Sequence, residues 1–140
     1  MEHCIVYFSS WTEPFREEDL STVLKQSRHN NDKTGITGVM LYVRGNVIQV
    51  LEGEKEALDT LYQRIERDPR HTNVSPVLNR PITQRLFAAW SMGYETISAR
   101  QLEEIKAIVD LDNNDGTATT PTDHIILRTI KVFYDSNRYN

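Results

Sequence analysis

The sequence predicts an α+β protein: one sheet with two helices on one face, followed by a helical extension. Short runs rich in β-branched and aromatic residues, Ile5-Val6-Tyr7-Phe8-Ser9, Val39-Met40-Leu41-Tyr42-Val43 and Val47-Ile48-Gln49-Val50-Leu51, have the composition of strands covered on both sides. Between and after them, apolar residues recur at helical spacing, as Leu20, Val23 and Leu24, then as Leu58, Leu61, Tyr62 and Ile65. The 140 residues, 39% hydrophobic and 26% charged, suit one domain with a real core and a short extension.

In the first strand, alternation puts Tyr7 on the side of Ile5, opposite Val6 and Phe8. A tyrosine there is a core residue whose hydroxyl needs a partner. Cys4 reads as a small buried apolar residue, because no base stands beside it. Trp11 to Arg16 is a connection punctuated by Pro14, and a helix starts near Glu17 with Glu17, Glu18 and Asp19 favouring its positive end. Continued at helical spacing, its apolar stripe reaches Ser27 and Asn31. Either this end frays into solvent, as Asn30-Asn31-Asp32 suggests by its likeness to a helix stop, or the polar residues line a pocket against the sheet. The glycines of Thr34-Gly35-Ile36-Thr37-Gly38 match neither the P-loop nor the dinucleotide fingerprint and imply a close backbone approach instead. Arg44-Gly45-Asn46 signals a tight hairpin.

Gln49 is out of character with its apolar strand. Leaving its amide unpaired there costs on the order of 1–3 kcal/mol, so it needs partners, from neighbouring backbone and water or from something more specific. Glu54 to Asp68 reads as the second helix, ended by Pro69, with Arg64 and Asp68 spaced as a solvated i, i+4 ion pair. Arg70 to Asn73 is a loop, and strands are expected over Val74–Asn79 and Arg85–Met92, joined through Pro81. In the last of these, Leu86, Ala88, Trp90 and Met92 share one face and Phe87, Ala89 and Ser91 the other. This order is close to a ferredoxin-like plan, a five-stranded mixed sheet with both helices on one face.

Beyond Gly93, a short helix is expected over Gln101–Val109. Asp110 to Gly116 resembles a calcium loop, but its glycine falls one place late and no terminal glutamate follows. Thr117 to Thr120 continues the loop. Pro121 opens a last helix whose stripe of Ile126, Leu127, Ile130, Phe133 and Tyr134 needs a surface, with the bare sheet face the obvious one and another subunit a use for any surplus.

Several classes are disfavoured. A net charge of −4 argues against a non-specific nucleic-acid surface, and strand aromatics stacking RNA would need a basic platform that is missing around Tyr7 and Phe8. A hydrolase built on Glu52 and Glu54 lacks any partner that would tune either carboxyl. His3, His29, His71 and His124 are scattered without metal-ligand spacing. No apolar run approaches the roughly 20 residues of a membrane span, there is no signal-peptide layout, and the one cysteine suits a reducing compartment, so a cytoplasmic protein is expected.

Tyr7, Asn31, Gln49, Trp90 and Met92, in this order and with these surroundings, resemble the BLUF family of blue-light flavin photoreceptors. The likeness is carried by Ile5-Val6-Tyr7-Phe8-Ser9, Asn30-Asn31 with Gly35-Ile36-Thr37-Gly38, Gln49-Val50-Leu51-Glu52-Gly53, Arg64 to His71, and Arg85 to Met92. It covers residues 1 to about 97 and implies a flavin domain over 1–97, with 98–140 as a helical extension packing on the sheet or mediating assembly, as in short members without a fused effector. It implies non-covalent FAD, with FMN and riboflavin also accepted, lying between the two helices. Asn31, with Asn30 and Ser27, would meet the polar ring edge, Leu24 and Ile65 would sandwich the ring, and Arg64, Asp68 and His71 would attend the ribityl or phosphate part. Tyr7 and Gln49 would be the photoactive pair and Trp90 and Met92 the signal relay, a two-residue strand slip exchanging the latter at one site. No enzyme activity is implied. The expected partners are the flavin, a second copy and a separate downstream signalling protein, with neither nucleic acid nor membrane; the alternative is a ferredoxin-like ligand- or RNA-binding module.

Overall fold

The computed structural model describes residues 2–11, 17–69, 71–115 and 120–138, with side chains for 2–11, 22–69, 73–108 and 127–137. The expected connection at 12–16, Arg70 and the loop at 117–119 lie outside the described residues, as do the side chains of Leu20, His71, Val109 and Ile126. Strands β1 (Glu2–Trp11), β2 (Thr37–Val43), β3 (Asn46–Glu54), β4 (His71–Pro81) and β5 (Gly93–Thr96) form one mixed sheet in the order β4-β1-β3-β2-β5. All neighbours are antiparallel except β2 and β5. Helices α1 (Glu17–Thr34) and α2 (Lys55–Arg67) connect β1 to β2 and β3 to β4, and α3 (Ala99–Asp115) and α4 (Thr120–Arg138) follow β5.

Strand alternation separates two cores. Ile5, Tyr7, Met40, Val47 and Leu51 face α1 and α2, together with Leu24 and Leu58. Val6, Val39, Leu41, Ile48 and Val50 face the other way, where Leu102, Ile105, Ile130 and Tyr134 of α3 and α4 cover them. The stripe of the last helix thus finds the bare sheet face. Ile105 and Ile130 are each 0% exposed, and together their burial contributes about 3–6 kcal/mol.

One turn and one close backbone approach follow the sequence signals closely. Arg44 and Gly45 both have positive φ, 47° and 82°, as a two-residue hairpin of right-handed twist requires. Gly38 has no room for a side chain: a Cβ there would overlap the Val50 carbonyl oxygen and lie 2.9 Å from its carbon. Gly38→Ala is therefore expected to force β2 off β3 and cost about 3 kcal/mol or more, read as a lowered urea midpoint. A midpoint within experimental error of wild type would show that the hairpin can adjust.

The expected loop at Arg70–Asn73 is strand from His71 onward, and three further expectations are corrected. Asn30-Asn31-Asp32 does not stop α1, which runs on to Thr34 and closes with Gly35 at φ 73° and the Ile36 amide donating to the Asn31 carbonyl at 3.1 Å. That six-to-one closure satisfies carbonyls left open by the helix end. Likewise α3 starts at Ala99 and continues through the calcium-like run to Asp115. A reciprocal cap starts it, the Gln101 amide donating to Ser98 Oγ and the Ser98 amide to Gln101 Oε1, each at 3.0 Å. Aspartate and asparagine are poor helix formers without being breakers, and no glycine or proline intervenes before Gly116.

The third correction is the largest. Arg85 to Met92 is no strand; it forms a loop of turns and bends, and the fifth strand begins only at Gly93. The loop's backbone donors are used elsewhere. Leu86 and Phe87 N–H both donate to the Glu52 carboxylate, at 2.7 and 2.9 Å, and the Trp90 N–H folds back onto the Phe87 carbonyl at 3.0 Å. With those donors taken, no ladder can form. The strand-face pattern fails with it. Trp90 packs with Phe87 and Leu86 on the outer core, whereas Met92 joins the inner core. In this structure Met92 is the residue at Gln49, and Trp90 lies on the opposite side of the sheet.

Candidate functional site

The register places the polar pair side by side. Tyr7 of β1 lies directly opposite Gln49 of β3, and Gln49 lies opposite Met40 of β2, all on the inner face. The Tyr7 hydroxyl donates to Gln49 Oε1, and Gln49 Nε2 donates to the Met92 sulfur at 3.4 Å. Both ends of the amide are thereby engaged, which answers the difficulty of a glutamine 5% exposed in an apolar strand. The Tyr62 ring of α2 stands edge-on to Tyr7, centroids 5.6 Å apart at 66°.

Burial pushes the Tyr7 phenol above its ordinary pKa of 10.0, with Tyr62 and Asp68 adding smaller contributions in the same direction. Tyr7 is therefore a neutral hydrogen-bond donor throughout the physiological range. A raised folded-state pKa gives stability that is complete below about pH 10 and is lost as pH rises further. Any signal that depends on the Tyr7–Gln49 bond should accordingly keep its amplitude up to about pH 10, and an amplitude that halved below that pH would place the phenol in a wetter setting.

Above Gln49, a cavity of about 250 Å³ opens between α1 and α2. Val23, Gln26, Ser27, Asn30 and Asn31 line it from α1; Leu61, Arg64, Ile65 and Asp68 from α2; Met40, Gln49 and Met92 close it below. A second cavity of about 320 Å³ adjoins it through Asn30, Asn31, Leu61 and Arg64 and extends to Thr34 and Glu56. Asn31 is 2% exposed, and its Nδ2 donates to the Ser91 carbonyl at 2.5 Å. The polar end of α1 thus lines a pocket and does not fray. Apolar side chains from two helices, amides on one edge and an exposed guanidinium at the mouth suit a flat, partly polar ring system with an anionic tail.

Of the residues singled out from the sequence, Ser27, Asn30, Asn31, Gln49, Arg64, Ile65, Asp68 and Met92 meet at this cavity. Tyr7 stands beside it, joined through Gln49. Leu24 does not form its wall; it is 8% exposed in the inner core, and Val23, the preceding residue of the same stripe, takes the wall position. Trp90 belongs to the far side of the sheet. The His71 side chain lies outside the described residues. Sequence reasoning missed Gln26, Met40 and Leu61 as lining residues, although alternation in β2 and the α2 stripe already turned Met40 and Leu61 inward.

The loop beside the cavity is tied down at both ends. At its start, Glu52, 1% exposed, accepts the Leu86 and Phe87 amides and the Thr37 hydroxyl, the last at 3.3 Å. Burial holds the Glu52 carboxyl above its usual range despite these donors, and the same burial, with Glu52 as a lesser cause, pushes the Cys4 thiol up to about 12. Cys4 is thus an inert core residue. Next to Glu52, Arg85 forms a bidentate pair with Glu2, at 2.8 and 2.9 Å, and donates to the Gly35 carbonyl at 2.7 Å. At the loop's end, Asn31 holds the Ser91 carbonyl, and Arg28 Nε donates to the Met92 carbonyl at 3.0 Å.

The chain is similar to known proteins throughout this region. The family BLUF, sensors of blue-light using FAD, matches residues 3–93. The photoactivated adenylate cyclase subunit beta of Euglena longa is 40% identical over 89 residues, 63% of this chain and 10% of that protein. The chain spans about a tenth of the length of the curated relatives it matches. Among solved structures, BlrB, a BLUF protein in its dark state, superposes with a TM-score of 0.70 at 30% identity, covering 92% of this chain and 94% of that one. Klebsiella pneumoniae BlrP1 with FMN and cyclic diGMP superposes with a TM-score of 0.70 at 27% identity, covering 96% of this chain and 35% of that one.

Proposed function

Because the chain belongs to the BLUF family of blue-light flavin photoreceptors, we propose that the α1–α2 cavity holds FAD and that Tyr7, Gln49 and Met92 form its light-responsive contact. The single observation that carries this is the bonded series from the Tyr7 hydroxyl through the Gln49 amide to the Met92 sulfur, at the floor of a cavity between two helices. Asn31, Asn30 and Ser27 would meet the polar edge of the ring, and Ile65 and Val23, which line the cavity from α2 and α1, would hold its faces. Arg64 and Asp68 line the cavity and would attend the ribityl phosphate. A tail held only at the mouth is permissive, and FMN, which accompanies the BlrP1 structure, is accepted as well, as is riboflavin.

Flavin excited by blue light supplies a strong one-electron acceptor. Tyr7 would be the residue to give the electron. Its phenolic proton would pass to the Gln49 oxygen to which it is already bonded, so no water is needed. Return of both would restore Tyr7 and leave the Gln49 amide with its hydrogen bonds rearranged. No bond is made or broken at the end of the cycle, so the site is a switch. Movement at Gln49 changes its bond to Met92, and Met92 ends the loop that leads into β5 and the helices beyond.

The signal passes to a separate cytoplasmic partner or a second copy. The outer side of α4, where Val132 is 56% exposed, is the docking surface. The test is an absorption spectrum of purified protein before and after blue light. Flavin bands with a small reversible red shift are expected; bands that never shift would keep the cofactor and reject the switch. A colourless protein that takes up no added flavin would reject both.

A further inference from the structure

We infer that Tyr134 of α4 is the positioning residue through which the loop ending at Met92 is coupled to the carboxyl-terminal helices, its ring seated on Phe87, Trp90 and the bare backbone of Gly93. The inference rests on the photoreceptor reading above and concerns a part of the molecule on the opposite side of the sheet from the cavity.

Tyr134 is 3% exposed and meets the loop on three sides. Its ring stands edge-on to Trp90, centroids 5.6 Å apart at 68°, and to Phe87, 6.5 Å apart at 86°. Its hydroxyl end covers Gly93 so closely that a Cβ on that residue would overlap the oxygen and lie 2.8 Å from Cζ. Gly93 is the residue after Met92, and its φ lies outside the left-handed region, so its missing side chain answers the ring above it and not a turn. Gly93 is also the first residue of β5, paired with Val39, while the loop preceding it is held by the Gly38 amide, which donates to the Trp90 carbonyl at 2.9 Å.

The path from the switch is therefore short: Gln49 to the Met92 side chain, Met92 to Gly93 along the chain, and Gly93 to Tyr134 by direct packing. A close-packed interior transmits a displacement of one residue to whatever fills its contact surface. Met92 and Trp90 lie on opposite sides of the sheet, and Tyr134 touches both Trp90 and the residue following Met92. Within one turn of Tyr134, α4 is anchored again, Asn137 Nδ2 donating to the Thr96 carbonyl at 2.8 Å and to Gln101 Oε1 at 2.9 Å. A shift at Gly93 would thus act on the carboxyl-terminal turn of α4, which holds both Tyr134 and Asn137.

The experiment compares hydrogen exchange of the α4 peptides in dark and lit flavin-loaded protein, with the absorption spectrum recorded on the same samples. Wild type is expected to change α4 exchange on illumination. Tyr134→Leu should keep the red shift and lose at least about fivefold of that change, and Tyr134→Phe, which restores the ring, should recover most of it. An undiminished change in Tyr134→Leu overturns the inference, as does a wild type that shifts its spectrum with no change in α4. Absence of a red shift in wild type overturns the photoreceptor switch and this coupling together. Should Tyr134→Leu fail to fold, the Tyr134 ring resonances of wild type, identified by their loss in Tyr134→Phe, carry the test: movement on illumination supports the coupling and identical positions overturn it.

Discussion

Tyr7→Phe is expected to retain flavin and to abolish the light-induced red shift. The variant keeps the ring, and with it the edge-on packing against Tyr62 and the apolar neighbours Ile5 and Leu51. It removes the electron and proton donor at the Gln49 oxygen. Phenylalanine is far harder to oxidise and has no proton to pass on, so the first step of the cycle has no substitute within the strand. The buried Gln49 oxygen loses a donor, which costs about 1–3 kcal/mol and should show as a modest fall in thermal midpoint. Because the cavity walls are untouched, the dark spectrum should remain that of a bound flavin. The check is the light-minus-dark difference spectrum at matched flavin occupancy. A shift of normal size in Tyr7→Phe would remove Tyr7 from the mechanism, even though flavin binding itself stood.

Glu52→Ala is the second large effect, and it acts on the loop. Three donors converge on the Glu52 carboxylate, two of them backbone amides that nothing else in the loop accepts. Deleting the acceptor leaves buried N–H groups at about 1–3 kcal/mol each, set against the relief of no longer burying a carboxyl whose folded-state pKa is raised. The hydrogen bonds outweigh that relief, because two amides and a hydroxyl are stranded together and one of them, at Phe87, belongs to a residue 1% exposed. A net loss of about 2–4 kcal/mol is expected, with a fall in thermal midpoint on the order of 10 °C. Amide exchange at Leu86 and Phe87 should accelerate more than in β1 or β3, since the loop loses its anchor while the strands keep theirs. Equal protection of the loop in Glu52→Ala and wild type would show that Arg85, with its own bonds to Glu2 and Gly35, holds the loop without Glu52.

Raising the pH acts on buried Glu52 in the opposite sense from a carboxylate in a surface ion pair. A raised folded-state pKa means the fold favours the protonated carboxyl, so this contribution to stability is complete below about pH 4.5 and is lost as pH rises through the folded-state value. Glu2 runs the other way. The bidentate Arg85 bond lowers its pKa, so its contribution is present above about pH 4.5 and lost on acidification, but solvent screening of this exposed carboxyl keeps it small.

Period alone located β1 to β4, α1, α2 and the hairpin at Arg44-Gly45, because alternation and helical spacing are set by residues near one another in the chain. The same logic put Tyr7 and Gln49 on inward faces and showed that Gln49 needed partners. It could not say that they face each other, since the β1–β3 register is a pairing across 42 residues. The family resemblance supplied the cavity residues, and the structure brought most of them together, with Val23 in the wall position expected of Leu24.

Residues 85 to 92 mark the limit of that reasoning. Their apolar and aromatic residues have the composition of a strand, and nothing local forbids one. The deciding groups lie elsewhere: a carboxylate 34 residues earlier captures the amides that a ladder would need, and side chains of α1 hold the far end. Trp90 and Met92 therefore point to opposite sides of the sheet, and Tyr134, a core residue of an amphipathic helix when read from its neighbours in the chain, becomes the contact between that loop and α4. Hydrophobic spacing specifies which face of an element is buried. Which partner buries it depends on hydrogen bonds and packing between segments that meet only once the chain has folded.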